Sequence, residues 1–268
     1  MLRTISVIQK GVSTMKAGYS AVPMAAAFVL MVMSVPVYAV SQTDDRIVSS
    51  ARESYIFKTY LKDDDIKIQS KDGVVILVGF VTKVSHKILA TDIVADLPGV
   101  VSVDNRLEVK GVPPTANSDA LLLDKVKSAL MFHRSVNAEK TEVAVKDGIV
   151  TLRGTATSQA QKDLTAEYAK DVDGVYDVNN EMTVSKSGDN SLPTAIVEKI
   201  DDASITAQVN MALLFHRSTS FLNSTVETNH GVVTIGGKAW NEAEVDLVTK
   251  LVRDIHGVKN VINEMTIE

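Results

Sequence analysis

A set of glycines that recurs three times with one spacing constrains the fold of this chain more than any other feature. The three sets have the same internal distances: Gly73, Gly79 and Gly99; Gly148, Gly154 and Gly174; Gly231, Gly237 and Gly257. An Asp stands 29 residues before the first glycine of each set, and an Asn stands six residues after the last. Self-similarity of this kind predicts a repeated unit of about 66 residues. We therefore expect three modules, at residues 44–109, 118–184 and 201–267.

The pattern inside one copy predicts the order helix, strand, strand, helix, strand. In the second copy, apolar residues from Leu122 to Leu130 form one helical stripe, and the chain then alternates with period two around Asp147-Gly148. Asp-Gly between alternating apolar residues predicts a β-hairpin, and Gly174 is placed to end the second helix. The expected fold class is α+β, with each module a two-layer sandwich of two helices on one face of a three-stranded sheet.

The first 39 residues lie outside the repeats and have the layout of a secretory signal peptide. Three basic residues precede the uncharged run from Ala21 to Val35, and small residues precede a cleavage position after Ala39. Met15 is an alternative start, since the apolar run follows it closely. The other interpretation is an uncleaved anchor in the inner membrane, because Ala21 to Val40 nearly spans a bilayer. If residues 1–39 are a signal peptide that is removed on export, we expect the mature protein in the periplasm.

Charge and composition limit the classes of partner. The chain has 28 basic and 33 acidic residues, of which residues 1–39 carry three basic ones, so the mature chain has a net charge of −8. This charge argues against nucleic-acid binding and against simple adhesion to anionic lipid. The chain has no cysteine, which excludes disulfides, thiol catalysis and cysteine-based metal sites.

The repeated motifs resemble the BON domain, a family named for bacterial osmotically inducible Y and nodulation proteins. The resemblance is carried by the hairpin glycine with its apolar strand (Asp72 to Gly79, Asp147 to Gly154, Gly231 to Gly237). It is also carried by a Gly-Val pair at Gly99, Gly174 and Gly257, and by the Asn after that pair. It covers nearly all of the presumed mature chain. The family implies a non-enzymatic role at phospholipid surfaces or with envelope proteins.

No pattern of residues predicts catalysis, a metal site or a cofactor. The five histidines lack partners at metal-ligand spacing, and no nucleophile elbow or phosphate-binding loop is present. The run from Asp63 to Asp65 lacks the alternating ligands of a calcium loop, so we expect a solvated connection there. The recurrent glycines are interpreted as structural.

One polar motif is shared by two of the copies. Phe132-His133-Arg134-Ser135 recurs as Phe215-His216-Arg217-Ser218 at the C-terminal end of the first helix. A cation there complements the helix dipole, which is the structural interpretation. The functional hypothesis is a lipid contact: the Arg binds a headgroup phosphate while the apolar residues insert into the membrane. The candidate lipid-binding residues are Phe132, His133, Arg134, Phe215, His216 and Arg217.

The second strand of the first copy is apolar on both faces. Val75 and Leu77 alternate with Val74, Ile76 and Val78, whereas the second copy has Thr151 and Arg153 on the latter face. A sheet covered by helices on one side leaves that face as an apolar patch. We expect Val74, Ile76 and Val78 to be buried against another module, or to receive a client chain or lipid.

The function expected from these features is that of an exported, non-enzymatic envelope protein. Its modules would contact phospholipid or envelope proteins and support envelope integrity under osmotic stress, a role that the resemblance implies. The alternative is a soluble periplasmic chaperone that holds unfolded outer-membrane or secreted proteins. The sequence leaves the oligomeric state open.

Overall fold

The structure is a computed structural model and describes residues 37–111, 118–185, 199–219 and 224–268. The first module contains two successive helices, a hairpin, a third helix and a last strand. These are α1 (Val37–Glu53), α2 (Tyr55–Thr59), β1 (Asp65–Lys71), β2 (Val74–Val81), α3 (Val84–Ala95) and β3 (Ser102–Val109). The predicted signal peptide lies outside the described residues, except that residues 37–39 begin α1.

The second and third modules repeat this order with a single first helix. Module 2 has α4 (Asp119–Phe132), a 3₁₀ turn (Ala138–Lys140), β4 (Thr141–Lys146), β5 (Ile149–Ala156), α5 (Gln159–Lys170), β6 (Asp177–Asn180) and β7 (Thr183–Val184). Module 3 has α6 (Asp202–Phe215), β8 (Ser224–Asn229), β9 (Val232–Ala239), α7 (Glu242–Arg253), β10 (Asn260–Asn263) and β11 (Thr266–Ile267). In each module the first two strands are antiparallel, and the last strand pairs in parallel with the central one. The predicted α+β fold class is confirmed.

The repeated Asp joins the first helix of each module to the hairpin turn. In module 1 the backbone N–H groups of Asp72 and Gly73 donate to the Asp44 carboxylate at 2.9 and 3.1 Å. Asp119 and Asp202 accept the equivalent pairs of bonds in modules 2 and 3. Both turn residues have positive φ, 53° at Asp72 and 76° at Gly73, as a two-residue type I′ turn requires.

The repeated Asn joins the last strand to the second helix. The Asn180 side chain donates to the carbonyl of Lys162 on α5 and accepts from the N–H of Met182, which interrupts the strand between β6 and β7. Asn105 and Asn263 make the same pair of bonds with their own modules. This Asn therefore bonds a helix carbonyl by its side chain in all three modules, and the last strand is divided at it in modules 2 and 3.

The run of three Asp residues is not simply solvated, which corrects the expectation for it. The side chain of Asp64 is only 1% exposed, and its carboxylate accepts from the N–H of Thr82 at 2.8 Å and lies 2.5 Å from Nδ1 of His86. Asp64 therefore fastens the start of β1 to the loop between β2 and α3. No group of three ligand-type side chains that could hold a metal ion occurs in the described part of the chain.

The three modules pack through their helices. Contacts between modules join α3 to α6, α4 to α6 and α3 to α4. Helix α6 is buried on nearly all sides, because it has neighbours from both other modules as well as its own sheet. One apolar core runs through modules 1 and 3 and includes Phe132 of module 2, while module 2 has a second core of its own. The helices of each module cover one face of its sheet, and the opposite face points away from these contacts between helices.

No helix within the described ranges is long and apolar enough to cross a membrane.

Candidate interaction surfaces

The Phe-His-Arg-Ser motifs join module 2 to module 3. The N–H of Arg134 donates to the carbonyl of Asp254 at 2.9 Å, and the N–H of His256 donates to the carbonyl of Phe132 at 3.0 Å. These two bonds form a short antiparallel bridge centred on His133 and Ile255. The motif of module 2 therefore docks on the turn that follows the second helix of module 3.

The motif of module 3 docks on module 2 in the same way. The N–H of Arg217 donates to the carbonyl of Asp171 at 2.9 Å, and the N–H of Asp173 donates to the carbonyl of Phe215 at 2.8 Å. A second bridge results, centred on Val172 and His216. Each of the two modules contributes its own motif and binds the motif of the other module. The contact therefore has the self-complementary form of a twofold interface. We call these two bridges and their side chains the reciprocal latch.

Each arginine side chain of the latch donates hydrogen bonds to backbone carbonyls of the other module. The Arg217 guanidinium donates to the carbonyls of Val175 at 2.7 Å and Val172 at 3.3 Å. Arg134 donates to the carbonyls of Val258 and Arg253. Both arginines thus satisfy carbonyls in and around the turn that follows a helix.

Buried polar side chains complete the latch on the Asp254 side. The ring of His133 is 2% exposed and stacks on Tyr168 with the ring centroids 3.7 Å apart. The Tyr168 hydroxyl donates to the Asp254 carboxylate at 2.7 Å, and His133 Nδ1 lies 3.5 Å from the same group. Burial acts against ionisation of Asp254, but His133, Ser135 and Tyr168 outweigh it, so its pKa lies below the usual range. Burial and the Asp254 carboxylate raise the pKa of Tyr168, which keeps this hydroxyl a donor.

The structure buries the aromatic rings of the candidate lipid-binding residues, whereas the side chain of Arg134 stays 46% exposed. Insertion into a membrane requires exposed aromatic rings, whereas Phe132 is 1% and Phe215 is 5% exposed. The His133 ring is buried as well, and the His216 side chain is 7% exposed. Only the preceding Met131 and Leu214 present apolar surface, at 37% and 38% exposure. In this arrangement the six residues hold two modules together.

The sequence contains a signal for the latch in the distribution of its two halves among the modules. Modules 2 and 3 carry both halves, the Phe-His-Arg motif and an Asp three residues before the glycine that follows the second helix, at Asp171 and Asp254. Module 1 has the Asp, Asp96, but lacks His-Arg and has Pro98 where the other turns have a backbone donor. The joint occurrence of two complementary halves in the same two copies was the available clue.

Module 1 is held to the others by helix caps that cross between modules. The Asp124 carboxylate of module 2 accepts from the N–H of Ser85 at 3.0 Å and from its hydroxyl at 2.6 Å, at the start of α3. The Asp201 carboxylate of module 3 accepts from the N–H of Tyr55 at 2.8 Å, at the start of α2. Each bond satisfies an N–H that a helix N-terminus leaves without an internal partner.

The open face of the module 1 sheet carries an exposed apolar strip. Alternate residues of β2 form it: Val74, Ile76, Val78 and Phe80. Val74 is 39% and Phe80 is 47% exposed, while Ile76 and Val78 are partly exposed. The face is therefore not buried against another module, although the first alternative expected this burial. The alternative that is left is that it receives a client chain or lipid. Phe80 extends the strip beyond the three residues predicted from the sequence, because β2 continues past Gly79 to Val81.

Charged side chains flank this strip on both neighbouring strands. The residues paired with Ile76 and Val78 are Gln69 and Lys67 on β1, and Asp104 and Arg106 on β3. The equivalent strip positions in module 2 are Ile149, Thr151, Arg153 and Thr155, and in module 3 they are Val232, Thr234, Gly236 and Lys238. The uninterrupted apolar strip is therefore specific to module 1.

Two open grooves lie at equivalent positions in modules 1 and 2, between the start of the first helix and the end of the second. The module 1 groove is lined by Thr43, Arg46, Ile47, Ser50, Leu97, Pro98 and Gly99. The charged groups lining the module 2 groove already have partners, since Lys125 pairs with Asp173 at 3.2 Å and Asp119 binds the hairpin.

Comparison with known proteins places these modules in a family. The family model described as "BON domain" matches residues 43–111, 118–186 and 201–268. The chain is similar to osmotically-inducible protein Y of Escherichia coli strain K12, with 29% identity over 147 residues, which cover 55% of this chain and 71% of the relative. It is also 28% identical over 145 residues to an uncharacterized protein in the gshII 5′ region of Anaplasma centrale, which covers 54% of this chain and 91% of that protein.

Among solved structures, the chain is similar to CdsD, a structural protein of the type III secretion system of Chlamydia trachomatis. The match has 15% identity and covers 83% of this chain and 92% of that one, but its TM-score of 0.23 is too low to carry a structural argument. The three domain matches together cover well over half of the 268 residues. The chain therefore belongs to the BON domain family, with three BON modules in tandem.

Proposed function

We propose that this chain is an exported envelope protein, related to osmotic stress, that acts by binding rather than by catalysis. The name of the osmotically-inducible relative supports the link to osmotic stress, and the signal-peptide layout of residues 1–39 supports export to the periplasm. The proposed ligand is an apolar segment of an incompletely folded envelope protein. The exposed apolar strip of module 1 carries this proposal.

The shape and rim of the strip favour a polypeptide segment as its ligand. Four alternate residues on one strand form a row about 20 Å long, since a strand rises about 3.3 Å per residue. An aromatic and three β-branched side chains give apolar contact area, while Lys67, Asp104 and Arg106 provide charges of both signs beside it. The acidic net charge of the mature chain keeps a complex with an apolar segment soluble and disfavours an anionic bilayer.

The sister module supplies the variant that tests this proposal. The triple substitution Ile76→Thr, Val78→Arg and Phe80→Thr gives module 1 the residues that module 2 has at the last three of the four strip positions. We expect it to lose suppression of light scattering when an unfolded outer-membrane β-barrel protein is diluted from urea. The substituted side chains are partly exposed, so the thermal midpoint should change little.

The matched control is the reverse exchange in module 2: Thr151→Ile, Arg153→Val and Thr155→Phe. It should keep the wild-type suppression or increase it, because it adds a second apolar strip. Undiminished suppression by the module 1 variant, with its fold intact, would show that the strip is not the binding surface.

Contact with phospholipid is the second candidate, and Trp240 favours it. This side chain follows β9 of module 3, is 68% exposed and lies two residues after Lys238. An exposed Trp beside a Lys suits the boundary between headgroups and acyl chains. Flotation with vesicles of phosphatidylethanolamine and phosphatidylglycerol separates the two candidates. If the wild-type chain floats with the vesicles and Trp240→Ala does not, the result supports lipid contact. If the wild-type chain does not float but suppresses aggregation, the result supports binding of a polypeptide segment at the strip.

A further inference from the structure

The apolar strip of module 1 is a single residue wide. Each of its four residues has a polar or charged residue beside it on both neighbouring strands. On β1 these are Lys71, Gln69, Lys67 and Asp65, and on β3 they are Ser102, Asp104, Arg106 and Glu108. The opposite face of the sheet differs, because its flanking strands also contribute apolar residues, such as Ile68 and Leu107, and helices cover it.

This width suits an extended segment better than a helix. Side chains on alternate residues of an extended chain form one row and stand about 7 Å apart, which is also the spacing of the strip residues. A helix is about 10 Å across, and its apolar stripe covers roughly 100° of its surface. Neighbouring strands lie only about 4.8 Å to either side of the strip. A bound helix would therefore lay part of its apolar surface on Lys67 and Arg106.

The outer edge of β3 is less suited to receive such a segment. The Leu107 N–H donates to the side chain of Asn105 at 2.9 Å, and the Leu107 carbonyl accepts from Nζ of Lys87 at 2.7 Å. A strand added at this edge would find two backbone groups in the middle of β3 already bonded, although free backbone groups are what an edge offers to a new strand. The strip is therefore the better surface for a ligand of β2 and β3.

The charges beside the strip favour particular residues between the apolar ones of the ligand. Among the described residues, Lys67 and Lys71 on one side and Glu108 on the other form no ion pair. Polar side chains of both signs in a bound segment complement these charges. A segment that is apolar throughout would instead remove water from them without pairing them, which is unfavourable.

We propose that the strip selects extended segments in which apolar residues alternate with polar or charged ones. This inference rests on the proposed function, because it names the kind of segment that the strip accepts. Such alternation is the pattern of a strand with one apolar face, as in a transmembrane β-strand, and differs from the pattern of a helix or of a continuous apolar run. Module 1 would thus recognise a β-strand pattern before that strand has paired with its neighbours.

Two labelled peptides that contain the same residues in different orders test this selection on the full chain. Each is about nine residues long, close to the length of a strand that crosses a bilayer. One alternates Val and Phe with Ser, Lys and Glu, and the other spaces its apolar residues as in a helical stripe. Fluorescence anisotropy should show about tenfold tighter binding of the alternating peptide, because half of the apolar side chains of the other face away from the strip when it is extended. Equal affinity, or tighter binding of the second peptide, would overturn the inference.

The residues beside the strip supply a variant with altered selection. Lys67→Val with Arg106→Val widens the apolar surface on both sides of Val78 and should reduce the difference between the peptides to within about twofold. The matched control is Glu142→Val with Glu181→Val, at the equivalent exposed positions of module 2, and it should keep the wild-type difference. An unchanged difference in the module 1 variant would show that the flanking charges do not select the ligand.

The strip variant Ile76→Thr, Val78→Arg and Phe80→Thr separates this inference from the proposed function. It should lose the binding of the alternating peptide. If it still prefers that peptide, the peptide binds elsewhere, for example at a sheet edge, and the inference is wrong. If neither peptide binds to the wild-type chain but the strip variant still loses suppression of aggregation, the inference fails and the proposed function stands.

Discussion

Gly79 shows how closely two backbone segments pass each other in modules 1 and 2. Its φ is 127°, a conformation open to glycine, and a Cβ at this position would collide with the carbonyl oxygen of Asp65 on the partner strand. Gly154 has the same relation to Lys140. In these two modules a backbone contact thus requires glycine at this position of the central strand, which gives its recurrence a steric cause.

Gly79→Ala should therefore destabilise module 1 severely. Both the strained φ and the collision with backbone act together, and we expect a loss of more than about 3 kcal/mol in the free energy of unfolding, measured by urea denaturation. Gly111→Ala is the control, because its φ is also positive, 84°, but nothing lies within 4 Å of the added Cβ. Its cost should stay within about 1 kcal/mol, and equal costs for both variants would contradict the steric explanation.

Helix α3 depends on another module for its N-terminal cap. The second helices of modules 2 and 3 are capped by their own Ser158 and Asn241, whose side chains accept from N–H groups of the first turn. Module 1 has Lys83 at that position, and its side chain makes no capping bond. Asp124 of module 2 supplies the acceptor instead, so that one local defect is corrected by a contact between modules.

Asp124→Ala should lower the free energy of unfolding by about 1–3 kcal/mol, because it leaves the buried N–H and hydroxyl of Ser85 without their acceptor. Adding Lys83→Ser restores a local cap of the kind that α5 has. The double variant should recover part of the loss in a thermal or urea denaturation series. If the double variant is no more stable than Asp124→Ala alone, capping of α3 is not what Asp124 contributes.

At the scale of the whole molecule, the reciprocal latch fixes how modules 2 and 3 associate. The two bonds of each bridge flank the central pair, so His133 and Ile255 form a pair without hydrogen bonds between them. Such antiparallel pairs have Cα atoms about 4.5 Å apart, which falls within the range that a disulfide spans. The same holds for Val172 and His216.

The variant with Val172→Cys and His216→Cys should therefore form an internal disulfide under mild oxidation. The chain has no cysteine of its own, so no other pairing competes. Mass spectrometry of a proteolytic digest should recover a cross-linked peptide that joins module 2 to module 3. A control with Tyr176→Cys and His216→Cys, whose first position is 82% exposed, should cross-link far less. Equal yields from both pairs would contradict the latch.

The sequence by itself determined the fold of the modules, because local terms decide it. Glycines at positive φ, the Asp-Gly turns and the change of apolar period from 3.6 to 2 act within about 66 residues, and the three copies reinforce one another. It also showed where the copies differ, at Phe132 to Ser135, Phe215 to Ser218 and the strip on β2. The strip could be predicted because strand alternation assigns a residue to a face.

Only the tertiary structure decided what those differences do. Phe132 reads as an exposed helix end until the ring of Tyr60 packs on it and the N–H of His256 bonds its carbonyl. Neither half of the latch has a local signal for the other. Ser85 likewise owes its acceptor to a residue of another module, Asp124. Contacts between distant segments depend on shape and packing summed over whole modules, whereas periodicity and spacing describe only a segment's own neighbours.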